Sequence, residues 1–132
     1  MFGICNEVEA FPEGYFGPSL YPGHAYLTIG GAGRVYWFLF ENIPETAYLA
    51  DKVPRLTKEE EKKLAEKYWD DNLADNVKFG ELYSKSICVN TTAIHEHIFD
   101  KWHFQRMITI GDSAHKVGTR TFRGTMRRVD PG

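Results

Sequence analysis

Two segments rich in β-branched and aromatic residues, 25–29 and 34–40, flank a run of small residues, GGAG at 30–33. This composition around a glycine-rich turn predicts an antiparallel β-hairpin. Alternate side chains of a strand point to opposite faces of its sheet. Both faces of the second strand are apolar: Val35, Trp37 and Leu39 on one, Tyr36, Phe38 and Phe40 on the other. We therefore expect this strand to be covered on both sides.

The rest of the chain mixes strand patterns with one clear helix. A capping box at Thr57 and Glu60 predicts a helix over about 58–70, with a narrow apolar stripe. Segments 1–9, 86–94 and 104–110 favour strands, 10–24 has the prolines and glycines of a loop, and 77–84 is ambiguous. The predicted fold is α+β: a mostly antiparallel sheet with the glycine-turn hairpin and one or two flanking helices.

Composition excludes several classes of protein. The 132 residues are 42% hydrophobic and 14% aromatic, unlike a disordered chain. The net charge of −2 does not suit a nucleic-acid binder, although residues 116–132 are basic and predict a solvated tail. The sequence has no membrane-length apolar run and no secretory signal. With only Cys5 and Cys88, it is no disulfide scaffold, and a reducing, intracellular and cytoplasmic location is expected. Cys88 itself is expected to be a buried, inert thiol.

The sequence GDSAH at 111–115 follows an apolar stretch. Gly111 allows another group to approach the backbone closely, and the Asp112 carboxylate suits a sugar hydroxyl. Taken alone, the same residues also fit an ordinary turn, or a helix N-cap at Asp112.

The segments KWHFQRMITIGDSAHK (101–116) and AYLTIGGAGRVYWFLFENI (25–43) resemble fungal FAD-dependent monooxygenases and epoxidases. These enzymes belong to the aromatic hydroxylase superfamily and are of the indole-diterpene and meroterpenoid type. The resemblance implies that Gly111 and Asp112 contact the ribityl chain of FAD. It implies that residues 1–104 form a substrate-domain sheet and helix, that 105–115 form the returning strand with the flavin motif, and that 116–132 form a divergent tail. The implied reaction uses FAD, NAD(P)H as reductant and O₂ to add one oxygen atom to an apolar terpenoid-like or aromatic substrate.

The sequence also departs from the resembled family. The strand–GxGxxG–helix unit that binds the pyrophosphate is absent from these 132 residues, and the sequence diverges after Lys116. We expect a truncated member or a gene model with altered ends, and weak or no FAD binding by the isolated chain. No catalytic acid or base is identified.

Other functions remain open on the residues alone. His95, Glu96, His97 and His103 lie close in sequence, but their spacing matches zinc signatures only loosely, so no metal is expected. A non-enzymatic α+β module that binds a ligand or partner, or a cofactor-free isomerase or cyclase, would also fit the aromatic sheet.

Overall fold

The computed structural model describes residues 1–41, 56–94 and 97–116. The chain divides into two compact units, Met1–Ala93 and Ile94–Gly132. The α+β prediction is confirmed, since the described residues form mostly antiparallel strands and two α-helices. No described helix is long and apolar enough to cross a membrane.

A five-stranded antiparallel sheet is the centre of the first unit. Its strands are β1 (Phe2–Asn6), β2 (Phe16–Tyr21), β3 (His24–Gly31), β4 (Arg34–Glu41) and β7 (Ser86–Asn90), in the order β2-β3-β4-β1-β7. The predicted hairpin is confirmed as β3 and β4. Gly33 in its turn has φ +66°, a backbone conformation that favours glycine.

The strand β2 was missed because its segment looked like a loop. Residues 16–21 include a glycine and Pro18, which predicted irregular structure for 10–24. The structure pairs the strand with β3 on one side only, because β2 lies at the edge of the sheet. Proline is tolerated on an edge strand, where its missing N–H leaves no ladder bond broken.

Two helices and a small hairpin complete the first unit. The first helix, α1 (Lys58–Lys67), has the predicted capping box: Glu60 N–H donates to Thr57 Oγ1 at 3.3 Å, and Thr57 N–H donates to Glu60 Oε2 at 2.8 Å. It ends earlier than predicted, with Tyr68 as its C-cap. The ambiguous segment 77–84 forms β6 (Val77–Lys78), paired with β5 (Asn72–Ala74), and then α2 (Phe79–Ser84).

One face of the sheet forms the hydrophobic core. Trp37, Leu39 and Tyr26 are buried on this inner face with residues of both helices, among them Ala65 and Phe79. The Trp37 ring meets Phe79 edge to face at 5.1 Å, and its indole N–H donates to Ser86 Oγ at 2.9 Å. The helices therefore cover the inner face, as the apolar pattern of β4 requires.

The opposite, outer face is less covered than the sequence suggested. Tyr36, Phe38 and Phe40 remain partly exposed. The expectation for Cys88 was wrong, because its thiol is exposed. Cys88 lies opposite Ile4 in the antiparallel register, so both side chains point to the outer face, and the strand of Cys88, β7, is at the edge of the sheet.

The described part of the second unit contains short strands and one turn of 3₁₀ helix, Gly111–Ser113. The strands are β8 (His97–Ile98), β9 (His103–Phe104), β10 (Met107–Ile108) and β11 (His115–Lys116), paired as β9–β10 and β8–β11. The prediction of a single strand at 104–110 was wrong. The chain reverses at Gln105, whose φ of +53° is left-handed, so the segment folds back as a hairpin instead of running straight. Of the predicted basic tail, only Lys116 is among the described residues.

Candidate functional site

The GDSAH sequence forms a turn after Ile110, in which residues 111–113 are exposed and Ala114 is buried. Residues Gly111–Ser113 make one turn of 3₁₀ helix, closed by the Ala114 N–H donating to the Gly111 carbonyl at 2.9 Å. Gly111 has φ +61°, and a Cβ at this position would have no neighbour within 4 Å. The position therefore favours glycine because of its left-handed backbone conformation, and not because a neighbouring group leaves no room for a side chain.

Asp112 is the acidic group of this turn. Asp112 is exposed to solvent. The hydroxyl of the neighbouring Ser113 donates a hydrogen bond to the Ile110 carbonyl at 2.6 Å. A carboxylate in this position can accept hydrogen bonds from hydroxyl groups of an incoming ligand. The turn thus presents one hydrogen-bond acceptor, the Asp112 carboxylate, next to Gly111, which has no side chain.

The tryptophan of the same motif packs close to the turn. The rings of Trp102 and His115 stack with centroids 5.2 Å apart. The Trp102 indole N–H donates to the Phe99 carbonyl at 2.7 Å, and the Phe99 N–H donates to the Ala114 carbonyl at 3.1 Å. The structure therefore brings together the two halves of the motif, 101–104 and 111–115, that are separated in sequence.

A second candidate surface is the outer face of the five-stranded sheet. The Phe2 and Phe38 rings lie 5.0 Å apart across β1 and β4, and Phe38 lies parallel to Phe40 at 5.9 Å. Phe16 and Leu20 on β2 are 65% and 63% exposed. The register places the following side chains on this outer face: Phe2, Ile4, Phe16, Leu20, Leu27, Ile29, Tyr36, Phe38, Phe40 and Cys88.

A polar cluster on the inner side was not found from the sequence. Asp71 Oδ2 accepts from the Tyr26 hydroxyl at 2.8 Å and lies 2.6 Å from His24 Nε2. Burial raises the pKa of Tyr26, and its hydrogen bond to Asp71 raises it further. The partners are at least 45 residues apart in sequence, so no local pattern pointed to them.

The residues weighed as metal ligands are only partly described. His95 and Glu96 lie outside the described residues. Within the described ranges, no three His, Cys, Asp or Glu side chains are grouped as metal ligands.

The chain is similar in sequence to several fungal FAD-dependent monooxygenases. The FAD-dependent monooxygenase esdpE of Penicillium shearii is 34% identical over 94% of this chain. The FAD-dependent monooxygenase spyC of Aspergillus fumigatus is 33% identical over 94% of the chain, and paxM of Penicillium paxilli, also an FAD-dependent monooxygenase, is 31% identical over 98%. The resemblance to fungal FAD-dependent monooxygenases is confirmed. It extends over nearly the whole chain, including both segments that first suggested it.

The chain spans about a quarter of the length of these relatives, 26% of esdpE and of spyC and 27% of paxM. No family model matches the sequence. No solved structure matches it either.

Proposed function

We propose that this chain supplies the substrate-facing sheet and one flavin contact of an FAD-dependent monooxygenase. The reaction adds one oxygen atom, as a hydroxyl or an epoxide, to an apolar terpenoid-like or aromatic small molecule. Similarity to such monooxygenases over 94% or more of the chain carries this proposal. The two unpaired cysteines support an intracellular, cytoplasmic location.

The exposed turn at 111–113 fits the sugar-alcohol linker of FAD. The linker carries hydroxyl groups, and the Asp112 carboxylate is an exposed acceptor for one of them. Gly111, with open space where a Cβ would stand, lets the linker approach the backbone. Reduced FAD with O₂ supplies the oxygen atom that is transferred, so the role of these residues is to hold and orient the cofactor.

The outer face is suited to hold the substrate. Its side chains are mainly aromatic and aliphatic, with the charged Arg34 at the start of β4, and rings such as Phe38 and Phe40 are partly exposed and stacked in parallel. An apolar substrate lying on this face would displace water from it, which favours binding. The same face would exclude water from the reacting atoms.

The turn provides only one part of a flavin site. The pyrophosphate of a dinucleotide is usually bound by a glycine-rich loop and a helix N-terminus, a sequence unit that these 132 residues do not include. We therefore expect the isolated chain to bind FAD poorly or not at all. Titration of the purified chain with FAD, followed by flavin fluorescence, tests this expectation, and a sub-micromolar Kd would contradict it.

A chimeric enzyme tests the proposed function itself. In this chimera, the chain replaces the matching quarter of esdpE, which retains the remaining three quarters of its own sequence. We expect the chimera to retain bound FAD, measured by flavin absorbance per protein. The Asp112→Ala variant should lose FAD about tenfold more readily, the effect of removing a hydrogen bond to a charged group.

Asp100 offers a matched control, because it is also an exposed carboxylate of the second unit. Asp100→Ala should leave FAD retention unchanged. Equal FAD retention in Asp112→Ala and in the unmodified chimera would refute the role of Asp112. A folded chimera without any FAD would refute the proposed function.

A further inference from the structure

A cleft in the first unit is lined by residues that belong to neither of the surfaces assigned above. It has a volume of about 800 Å³ and lies between the β5–β6 hairpin and α2. Its lining includes Trp69, Asn72, Asn76, Lys78 and Lys85. Trp69 is 39% exposed, and accessible aromatic side chains are typical of the lining of ligand sites.

The Trp69 ring is held against the backbone of α2. A Cβ added to Gly80 would lie 2.4 Å from Cε2, 2.5 Å from Cδ2 and 2.6 Å from Nε1 of Trp69. Nearly equal distances to three ring atoms place Gly80 over one face of the indole. Only glycine permits this contact, and the exposed part of the ring remains available to the cleft.

The backbone that carries Trp69 is fixed from two sides. The Gly80 N–H donates to the Trp69 carbonyl at 3.0 Å, and the Phe79 N–H donates to the Asp71 carbonyl at 2.8 Å. On the sheet side, Tyr21 donates to the Asn72 carbonyl at 2.7 Å, and the Asp71 carboxylate binds Tyr26. The position of the indole is therefore set before any ligand binds, which lowers the entropic cost of binding.

The charges around the cleft disfavour an anionic ligand, because its lining includes the Asp75 carboxylate and neither of its lysines is unpaired. Lys78 Nζ lies 2.7 Å from Asp70, and Lys85 Nζ lies 2.6 Å from Glu81, so both cations already have partners. Asparagine side chains offer a donor and an acceptor together, which matches the edge of a nucleobase. The indole matches its flat surface, since bases stack on aromatic side chains.

We propose that this cleft, with Trp69 as a stacking surface, binds a neutral planar heteroaromatic ring of the nucleoside type. This proposal does not depend on the proposed monooxygenase function, so either proposal can be refuted while the other stands.

An NMR titration of the full 132-residue chain with adenosine tests the proposal. The three indole N–H signals act as separate reporters: Trp69 in the cleft, Trp37 buried in the core and Trp102 in the second unit. Trp102 is 38% exposed and so controls for unspecific stacking on an accessible indole. We expect a saturable shift of the Trp69 signal with a Kd of about 1 mM or lower, and no saturable shift of Trp102.

The variant Trp69→Leu should weaken adenosine binding at least about tenfold, the effect of losing one stacking surface, while Trp102→Leu should not change it. An unchanged Trp37 signal shows that each variant is folded. The absence of a saturable Trp69 shift in the unmodified chain, or equal shifts of Trp69 and Trp102, would overturn the proposal. A saturable response to methyl glucoside but not to adenosine would also overturn it.

Discussion

Trp37 and Phe38 are consecutive residues of β4, and their side chains lie on opposite faces of one sheet. Trp37 is fully buried against Phe79, and its indole N–H has a hydrogen-bond partner in Ser86. Phe38 is partly exposed and has aromatic neighbours, Phe2 and Phe40, on its own face. Both faces carry aromatic side chains, yet among the described residues the helices pack on the inner face. Aromatic alternation alone therefore does not distinguish a face that stabilises the fold from a face that can receive a ligand.

The largest expected difference between the two faces is in stability. Trp37→Ala should lower the free energy of unfolding by about 3–5 kcal/mol, because it leaves a large cavity in the core. Phe38→Ala should lower it by only about 1 kcal/mol, because the ring is partly exposed in the folded state. Urea denaturation followed by circular dichroism measures both values. Similar losses in the two variants would remove the distinction between the faces.

A smaller effect, of opposite sign, is expected at Thr28 on the inner face. Its hydroxyl is buried and has no hydrogen-bond partner among the described residues. Thr28→Val removes this unsatisfied group and should raise the free energy of unfolding by about 1 kcal/mol. Thr92→Val, at an exposed residue, is the control and should have no effect. A loss of stability in Thr28→Val would show that the hydroxyl has a partner.

The smallest expected effect is on the pH dependence of stability, through Glu41 on the inner face of the sheet. Burial opposes ionisation of Glu41, but hydrogen bonds from Lys67 and Tyr68 outweigh it and lower the pKa of this carboxyl below its ordinary value. A carboxyl whose pKa is lower in the folded state contributes stability above its unfolded pKa and loses it as the pH falls through the folded value. Glu41→Gln should therefore reduce the loss of stability between about pH 6 and about pH 3. Thermal unfolding at the two pH values measures the difference, and identical pH dependence in both proteins would refute this account.

Local signals predicted part of the fold well. The β3–β4 hairpin and the start of α1 each depend on neighbouring residues, the glycine turn and the Thr57–Glu60 pair. The edge strand β2 was missed because the effect of Pro18 depends on its place in the sheet. The hairpin at 103–108 was missed because a left-handed Gln105 has no clear sequence signal.

The candidate sites also include residues that a local sequence motif selected and a cleft that no local pattern predicted. Gly111 and Asp112 were selected from a sequence motif, and their roles remain a prediction. The cleft at Trp69 was not predicted, because the position of the backbone that carries Trp69 depends on hydrogen bonds from Tyr21 to Asn72 and from Tyr26 to Asp71. These contacts join distant parts of the chain, which periodicity and spacing do not reveal.

The central claim is that the outer face receives the substrate of a monooxygenase, whereas the inner face stabilises the fold. The most direct test is kcat/KM of the esdpE chimera carrying Phe38→Ala, with FAD content and melting temperature measured on the same preparation. We predict that kcat/KM falls by about tenfold with FAD content unchanged, as expected when one apolar contact of about 1.4 kcal/mol is lost. An unchanged kcat/KM in this variant would contradict the claim.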